Sequence, residues 1–355
     1  MICVEEDYSD PASWDDFVER QPESRFCQLH GYARAADVYG YESRHICFLR
    51  DDQILAVLPA SKTASLLFGR KLVSQPFSEY GGMLLSSSAT GNDIEEIFGL
   101  MREMLAKGSI PLLELHGEGS LSRENREMYL LQVNPHHNAV LDLSPSLDEL
   151  WDKVLNHQVR KSIRQAERSK LNVWQECSPQ SIKSLFYPLY LQSMRRLGVP
   201  PHSVKYFLQC HSGLGDRMTI FWAARGRLII AALLGFRCGD RVNITSTVSD
   251  EVCWEYRPND LLHWSYIKWA RERNIRCFDF GSVRYGGQMQ YKKKWGCSFG
   301  EHAYYLLSSA PRQSEARVLD SSGDSMKRLS TIWSRCVPDS VGRAIGPILR
   351  KHLVR

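Results

Sequence analysis

Hydrophobic and polar positions follow the same order in the two halves of the chain. In the first half, the apolar-rich run His45–Arg50 is followed by two acidic residues and by a second run, Ile54–Pro59. In the second half, Met218–Ala224 is followed by a short polar turn and by Leu228–Phe236. Two apolar runs around a polar turn are typical of a β-hairpin. The sequence therefore predicts one hairpin in each half.

Each predicted hairpin is followed, further along the chain, by a helix and another strand. The helices open on Asn-Asp pairs at 92–93 and 259–260, residue types that suit a helix N-terminus, and continue with apolar residues at helical spacing. Each of the next strands carries one carboxylate between apolar neighbours, Glu114 in the first half and Asp279 in the second. Such self-similarity in a fixed order indicates a duplicated structural unit.

The repeated order predicts an α/β protein of two tandem units with mixed β-sheets flanked by helices. Two unrelated α/β domains that use common parts are the alternative. A length of 355 residues fits two domains better than one. We expect a first unit at 1–142, a second unit with the active site at 143–309, a linker at 310–331, and a basic amphipathic tail at 332–355.

Two helical regions lie outside the repeat. One helix is expected from Leu147 to about Ser169, after a Ser-Pro turn with capping residues. In the tail, Pro338 and Pro347 interrupt an apolar periodicity and predict two short amphipathic helices. The Arg and Lys residues of this tail suit a peripheral contact with the inner membrane.

Composition narrows the class of protein. Apolar residues make up 43% of the chain and charged residues 24%, as in ordinary globular proteins. The N-terminus lacks the pattern of a secretory signal, and no apolar run is long enough to span a bilayer, so we expect a cytoplasmic protein. The ten cysteines show no C-x-x-C spacing, which argues against a metal site or a disulfide framework.

The first candidate site is a basic helix face. Arg160, Arg164 and Arg168 recur every four residues and share one side of the predicted helix. Guanidinium groups in a row can hold phosphate or carboxylate oxygens in bidentate fashion. The alternative is a solvated helix face.

The second candidate is the rigid loop that follows Arg196. Gly198 can adopt the left-handed conformation that often ends a helix, and Pro200 and Pro201 fix the exit of the chain. His202 directly after them could carry a proton. A structural histidine is the alternative.

The third candidate begins at the second carboxylate strand. Asp279 alternates with aromatic residues, and Arg284 and two glycines follow. The cations of Lys292–Lys294 could hold a phosphate or stabilise the oxyanion of an acyl-transfer intermediate. The alternative is a glycine turn that leads into an exposed basic strand.

Two other enzyme classes lack their motifs here. The pattern G-x-S-x-G, which is the spacing of a serine hydrolase elbow, occurs at Gly296–Gly300, whereas the G-x-x-x-x-G-K-[ST] phosphate loop is absent. The sequence also contains no H-E-x-x-H helix of a zinc protease. The missing motifs leave a P-loop nucleotide hydrolase and a zinc protease unsupported.

At five segments the chain resembles the FemAB-like branch of the GNAT acetyltransferase superfamily, which is related to peptidoglycan-bridge aminoacyltransferases. Within that branch it is most similar to the group associated with exopolysaccharide and PEP-CTERM export. The segments are Leu67–Gly82, Arg160–Ala166, Arg196–Pro200, Phe278–Gly281 and Tyr291–Gly296. The resemblance implies two tandem GNAT-like units.

The resemblance also implies site residues. The family pattern of an aromatic residue and a lysine before Trp-Gly falls on Tyr291, Lys292, Trp295 and Gly296. A Pro-Phe-x-x-Tyr-Gly-Gly stretch places Tyr80 in the cleft of the first unit. The sequence departs from the family at two positions, where Ala56 replaces a common Gly and Tyr32 a common Trp.

The donor stays open between acyl-CoA and aminoacyl-tRNA, and no tightly bound cofactor is expected. Nothing resembles the helical arm that suits tRNA in characterised relatives, and Glu251–Pro258 contains no glycine of the loop that usually binds the CoA pyrophosphate. The resemblance implies an acyl- or aminoacyl-transferase that acts on an amine or hydroxyl of a cell-envelope or exopolysaccharide precursor. A catalytically degenerate module that binds a lipid-linked or polysaccharide precursor is the alternative.

The predicted roles follow from these patterns. Lys292 balances the developing negative charge and Asp279 orients or deprotonates the nucleophile. The remaining candidates would bind substrate, and they are Arg160, Arg164, Tyr291, Trp295, Arg284, His202 and Tyr80. The hypothesis depends on Lys292 and Asp279 converging on one place in the fold.

Overall fold

The computed structural model describes residues 1–65, 69–309, 333 and 337–352. The predicted linker at 310–331 lies outside the described residues, as do Leu67 and Phe68 of the family motif. Within the described part of the chain, no helix is long and apolar enough to cross a bilayer.

The strands and helices follow one another in a mixed order. The strands are β1 (Cys3–Glu5), β2 (Glu42–Arg50), β3 (Gln53–Ser65), β4 (Gly69–Val73), β5 (Leu84–Leu85), β6 (Leu112–His116), β7 (Leu131–Asp142), β8 (Asn172–Gln175), β9 (Met218–Arg225), β10 (Leu228–Cys238), β11 (Arg241–Ser249), β12 (Cys277–Val283) and β13 (Ser298–Ser308). The helices are α1 (Pro11–Glu19), α2 (His30–Ala33), α3 (Gly91–Lys107), α4 (Arg123–Tyr129), α5 (Leu147–Glu149), α6 (His157–Arg168), α7 (Pro179–Ser181), α8 (Tyr187–Arg196), α9 (Val204–Leu214), α10 (Pro258–Glu272), α11 (Gly286–Lys294) and α12 (Asp339–His352). Short 3-10 segments lie at Phe26–Gln28, Arg34–Tyr39, Gly215–Arg217 and Glu251–Tyr256, and π-helical turns at Leu150–Val154 and Ile182–Phe186.

The sheet of the first unit confirms the first predicted hairpin. Strands β1 to β4 pair antiparallel in sequence order, β4 pairs parallel with β6, and β6 pairs antiparallel with β13. The hairpin turn is Asp51-Asp52, and both residues have positive φ, 50° and 61°, as the favoured tight hairpin turns require. The core lies between this sheet and α3, whose buried residues include Ile97, Phe98 and Met101.

The sheet of the second unit repeats this arrangement. Strands β8 to β11 pair antiparallel in sequence order, β11 pairs parallel with β12, and β12 pairs antiparallel with β7. Helix α10 connects the parallel pair, as α3 does in the first unit. Its buried side chains, among them Leu262, Tyr266 and Ile267, pack into the core of this unit. The predicted fold class, two tandem α/β units with mixed sheets and flanking helices, is therefore confirmed.

The two Asn-Asp pairs lie inside their helices rather than at the caps. Helix α3 is capped by Thr90, while Asp93 in the first turn accepts a hydrogen bond from the Thr90 backbone N–H. Helix α10 begins at Pro258 after Arg257, which has a left-handed φ of 56°. Each predicted pair begins two positions too late, because Thr90 caps α3 and Arg257 stands at the cap of α10.

Three further predictions about local structure are corrected. The helix expected from Leu147 to Ser169 is interrupted at Leu155, which is extended with ψ 130° and separates the π-helical turn from α6. The basic segment Lys292–Lys294, for which an exposed strand was the alternative interpretation, belongs to helix α11. Helix α12 runs through Pro347, so the tail does not break there. The proline ring leaves the carbonyl of Arg343, four residues earlier, without its helical donor.

The compact units are not continuous in sequence. The first unit comprises Met1–Pro135, strand β13 from His302 onward, and the end of the chain from Pro347. The second unit comprises His136–Glu301 together with α12 up to Gly346. Strand β13 thus completes the first unit's sheet, and β7 completes the second unit's. The boundaries proposed from the sequence stay a prediction about repeated units.

Candidate functional site

The site in the second unit is built around a bulge in β12. The register between β12 and β7 shifts between Asp279 and Ser282, and Gly281 within this bulge has a φ of 77°. Asp279 is fully buried, and its Oδ1 accepts a hydrogen bond of 2.8 Å from the Gly281 backbone N–H. Bulges next to active sites re-aim side chains and end strand pairing. Here the buried carboxylate fixes the conformation of the bulge.

Lys292 reaches the same bulge from helix α11. Its ammonium Nζ donates to the carbonyl oxygens of Gly281 at 3.0 Å and Ser282 at 2.8 Å. The side chain is buried, which is rare for lysine and requires such polar partners. The two predicted catalytic residues therefore meet at one place, with Asp279 on the N–H of Gly281 and Lys292 on its carbonyl.

A second carboxylate, Asp260, lies beside Tyr291, the residue before this lysine, and was not predicted as a site residue. Burial raises the pKa of Asp260 from 3.8 to about 6, although the charge of Arg257 and the hydroxyl groups of Tyr291 and Ser162 act in the opposite direction. A carboxyl group with a pKa near neutrality can exchange protons with a substrate. The Asn-Asp pair at 259–260 was the sequence feature that could have indicated Asp260, but such a pair is equally typical of a helix N-terminus.

Tyr291 lies beside Asp260 and directly precedes Lys292 in helix α11. Its surface is 36% exposed, yet its hydroxyl lies in a desolvated place beside Asp260. Desolvation first, and then the charge of Asp260, raise its pKa well above the ordinary value of 10.0. The phenol therefore stays protonated and can act only as a hydrogen-bond donor or acceptor at neutral pH.

His263, one turn after Asp260, is a neutral part of the site. Burial lowers its pKa to about 4, and the charge of Lys292 contributes in the same direction. Its Nδ1 lies 2.8 Å from the carbonyl oxygen of Asn259, which can only accept, so Nδ1 carries the proton. The ring stacks on Phe280 at 5.1 Å and 10°. This histidine joins helix α10 to the bulged strand.

Strands β11 and β12 share only a short ladder. Their parallel pairing joins Arg241–Asn243 to Cys277–Asp279, although both strands continue beyond it. Asn243, opposite Asp279, is 2% exposed, and neither polar atom of its amide has a hydrogen-bond partner among the described residues. A buried amide without partners requires an explanation, and a ligand between the diverging strands would supply one.

The Trp-Gly pair after Lys294 holds helix α11 in place. Trp295 is fully buried in the core of the second unit. Gly296 has a φ of 80°, and a Cβ there would lie 2.3 Å from Cγ1 of Val154. Only glycine fits this approach. The family-like motif thus has a packing reason that is independent of chemistry.

All three arginines of the basic helix face lie on α6, and the two candidates for substrate binding, Arg160 and Arg164, already contact other groups. Nη1 of Arg160 donates to the carbonyl oxygens of Trp151 and Asp152, both at 2.8 Å. The Arg164 guanidinium carbon lies 5.4 Å from the ring centroid of Trp151. Their assignment to substrate binding stays a prediction, and Arg160 would have to give up backbone contacts to fulfil it.

The three remaining candidates for substrate binding, His202, Arg284 and Tyr80, each have different neighbours. His202 is buried and stacks on Tyr206 at 4.2 Å, in an aromatic cluster of α8 and α9. Arg284 is exposed just before α11, where its backbone N–H donates to Gln288. Tyr80 belongs to the first unit, where the Arg25 guanidinium lies 5.1 Å from its ring centroid. None of these placements tests a substrate contact.

No cation site accompanies these groups. Among the residues that the structure describes, no three His, Cys, Asp or Glu side chains are arranged to hold a metal ion.

The matching family model covers the part of the chain that contains this site. Residues 155–293 match the model of the acetyltransferase (GNAT) domain, a stretch that contains α6, α10, the bulge in β12 and Lys292. Together with the sheet topology, this match indicates a GNAT-type fold for the second unit. A search of the curated proteins finds no match to this sequence.

Three solved structures are similar to this chain in fold. A crystal structure of FemX is similar with a TM-score of 0.70 at 14% identity, covering 86% of this chain and 97% of that chain. The C-terminal domain of a putative lysylphosphatidylglycerol synthetase from Agrobacterium fabrum gives 0.56 at 12% identity, over 83% and 90% of the two chains. A tandem GNAT protein from the clavulanic acid biosynthesis pathway gives 0.52 at 10% identity, over 88% and 100%. At these identities the likeness establishes the tandem GNAT fold and supports the FemAB-like resemblance at the level of fold.

Proposed function

We propose that this protein transfers an acyl or aminoacyl group from an activated donor to an amine or hydroxyl of a cell-envelope or exopolysaccharide precursor. The observation that carries the proposal is the convergence of Lys292 and Asp279 on one bulge of a GNAT-type unit, in which the carboxyl group of Asp260, with its raised pKa, lies beside Tyr291. FemX and the domain of a putative lysylphosphatidylglycerol synthetase share this fold, and the name of the second connects it with lipid chemistry. Exopolysaccharide as the acceptor rests on the sequence resemblance alone.

The chemical step needs a base and a stabiliser of negative charge. In its ionised form Asp260 accepts the proton of the attacking amine or hydroxyl, while that nitrogen or oxygen bonds to the donor's carbonyl carbon. The carbonyl oxygen becomes an oxyanion, which the positive charge of Lys292 stabilises. The intermediate then collapses, the carbonyl re-forms, and the bond to the sulfur of CoA or to the oxygen of tRNA breaks. Protonated Asp260 returns its proton to that atom, which leaves as a thiol or a hydroxyl.

Because Asp279 is fully buried, it is poorly suited to deprotonating the nucleophile, the role that the sequence suggested. A fully buried carboxylate that already accepts the Gly281 N–H is suited to holding the bulge and thereby Lys292. We therefore assign Asp279 to positioning and Asp260 to proton transfer. The diverging ends of β11 and β12, with the buried amide of Asn243, are the proposed place for the activated donor.

The first test compares cells with and without the gene by mass spectrometry of exported polysaccharide and cell-wall fragments. We expect one component of the envelope to lose the mass of an acyl or aminoacyl group when the gene is absent. That mass difference identifies the transferred group. Incubation of the purified protein with acetyl-CoA or with charged tRNA, in the presence of the unmodified component, then decides between the two donors.

The second test uses neighbouring lysines. Lys292→Ala should lower kcat by about a hundredfold or more, because removing one group that stabilises an oxyanion typically has that effect. Lys293→Ala, an exposed lysine in the same helix, is the matched control and should transfer at the wild-type rate. The measurement is product formation under single-turnover conditions.

The result also separates the enzyme from the binding module. If cells that express Lys292→Ala make the modified component in normal amount, the residue does not act in catalysis and the transferase proposal fails. A degenerate module that recruits other enzymes would then explain the phenotype of the deletion.

A further inference from the structure

Helix α12 exposes a continuous apolar face. Val341, Ile345, Ile348 and Leu349 are separated by four, three and one positions, so they lie on one side of the helix. Their exposed fractions are 41%, 40%, 60% and 41%. Large apolar side chains that are exposed together mark an interaction surface, whereas single ones are ordinary.

The neighbouring side of the helix packs against the protein through small residues. Gly342 and Gly346 are buried, and a Cβ on Gly346 would lie 2.4 Å from Cδ of Pro201. The Arg343 guanidinium carbon lies 5.9 Å from the ring centroid of Tyr187. The close approach of the backbone at Gly346 thus determines which side of α12 contacts the protein. The apolar face lies beside this glycine side and is exposed.

The charge of the helix indicates what covers this face. Arg343, Arg350 and Lys351 are positive, whereas Asp339 is the only acidic residue of α12. An apolar face accompanied by several cations suits the interface of a bilayer that contains anionic lipids.

We propose that the apolar face of α12 docks this protein on an anionic membrane surface. The helix lies parallel to the membrane, with Ile345 and Ile348 entering the boundary between headgroups and acyl chains while its glycine side stays on the protein. A helix of 14 residues that is packed on one side cannot cross the bilayer. Delivery of the enzyme to a lipid-linked acceptor would follow, and that consequence rests on the proposed function, whereas the docking does not.

The experiment is sedimentation of the full chain with vesicles of phosphatidylglycerol and phosphatidylcholine in equal amounts, and with vesicles of phosphatidylcholine alone. The variant is the double substitution Ile345→Gln, Ile348→Gln, and the matched control is Leu228→Gln, whose side chain is also 60% exposed but lies in a strand of the second unit. We expect the double variant to lower the apparent partition coefficient on anionic vesicles by about tenfold or more. The control should bind like the wild type, and added salt should weaken binding.

Two results would overturn the proposal. One is equal binding of the double variant and the wild type, or no binding by either while circular dichroism shows both folded. The other is a wild-type dimer in light scattering that the double variant converts to a monomer, which would make the face an interface between two copies. Lys292→Ala should bind vesicles normally, so failure of docking and failure of the transferase proposal can be told apart.

Discussion

Asp260 differs from an ordinary surface aspartate in how its carboxyl group is surrounded. It sits in the first turn of α10 with Tyr291 and Ser162 beside it, and desolvation dominates its electrostatics. A base with this pKa is protonated in mild acid and ionised at neutral pH. The proton-transfer role proposed for it therefore has a signature in the pH dependence of the reaction.

We expect kcat/KM for transfer to rise with pH through an apparent pKa of about 6, because only ionised Asp260 can accept the proton. Asp260→Asn should lower kcat by about a hundredfold to ten-thousandfold and remove this acidic limb. Asp216→Asn, whose side chain is 90% exposed in the same unit, is the control. An unchanged acidic limb in Asp260→Asn would assign that limb to another group.

Glu114 in the first unit illustrates the opposite electrostatic balance. Burial alone would raise its pKa, but the hydrogen bond and charge of His116, at 3.0 Å, and the charge of Lys71 outweigh burial and lower it below 4.5. The His116 ring also stacks on Tyr304 at 4.1 Å. This network is buried, so its loss should affect folding first.

A lowered pKa in the folded state means that the ionised carboxylate stabilises the fold. That contribution is complete above pH 4.5 and is lost as the pH falls through the lower folded-state pKa. Glu114→Gln should therefore reduce the free energy of unfolding at pH 7 by about 3–5 kcal/mol and weaken its dependence on acid. Glu103→Gln, at an exposed pair with Lys107, should change it by less than about 1 kcal/mol. Urea unfolding at several pH values measures both.

At the scale of elements, two glycines show how the same residue serves different purposes. Gly296 turns the chain after α11 at positive φ and touches Val154, whereas Gly99 lies on the exposed side of α3 with no atom near its missing Cβ. Local sequence patterns do not distinguish these two glycines, since the residues before each of them belong to a helix.

Alanine substitutions should act in opposite directions at these positions. Gly296→Ala should destabilise the protein by about 2 kcal/mol or more through backbone strain and the contact with Val154. Gly99→Ala should stabilise it by up to about 1 kcal/mol, because alanine favours the helix and lowers the entropy of the unfolded chain. Thermal unfolding followed by circular dichroism checks the pair. A stabilised Gly296→Ala would contradict the packing at this turn.

The helices and strands were predictable where one periodicity dominates. The hairpin at Asp51-Asp52 and the carboxylate strands follow directly from local patterns, and the structure confirms them. The sequence did not predict the helix at Lys292–Lys294, because three consecutive lysines carry no period. The predicted break at Pro347 is wrong, because α12 continues through that residue.

For the whole molecule, the sequence by itself determined that two α/β units occur in tandem, because apolar periodicity and turn residues are local and survive in each half. It also singled out Lys292 and Asp279 by residue type. Only the tertiary structure decided that both meet at a bulge, that Asp279 is fully buried and that Asp260 acquires a raised pKa. Desolvation and strand register depend on residues far apart in the chain, and no local pattern records them.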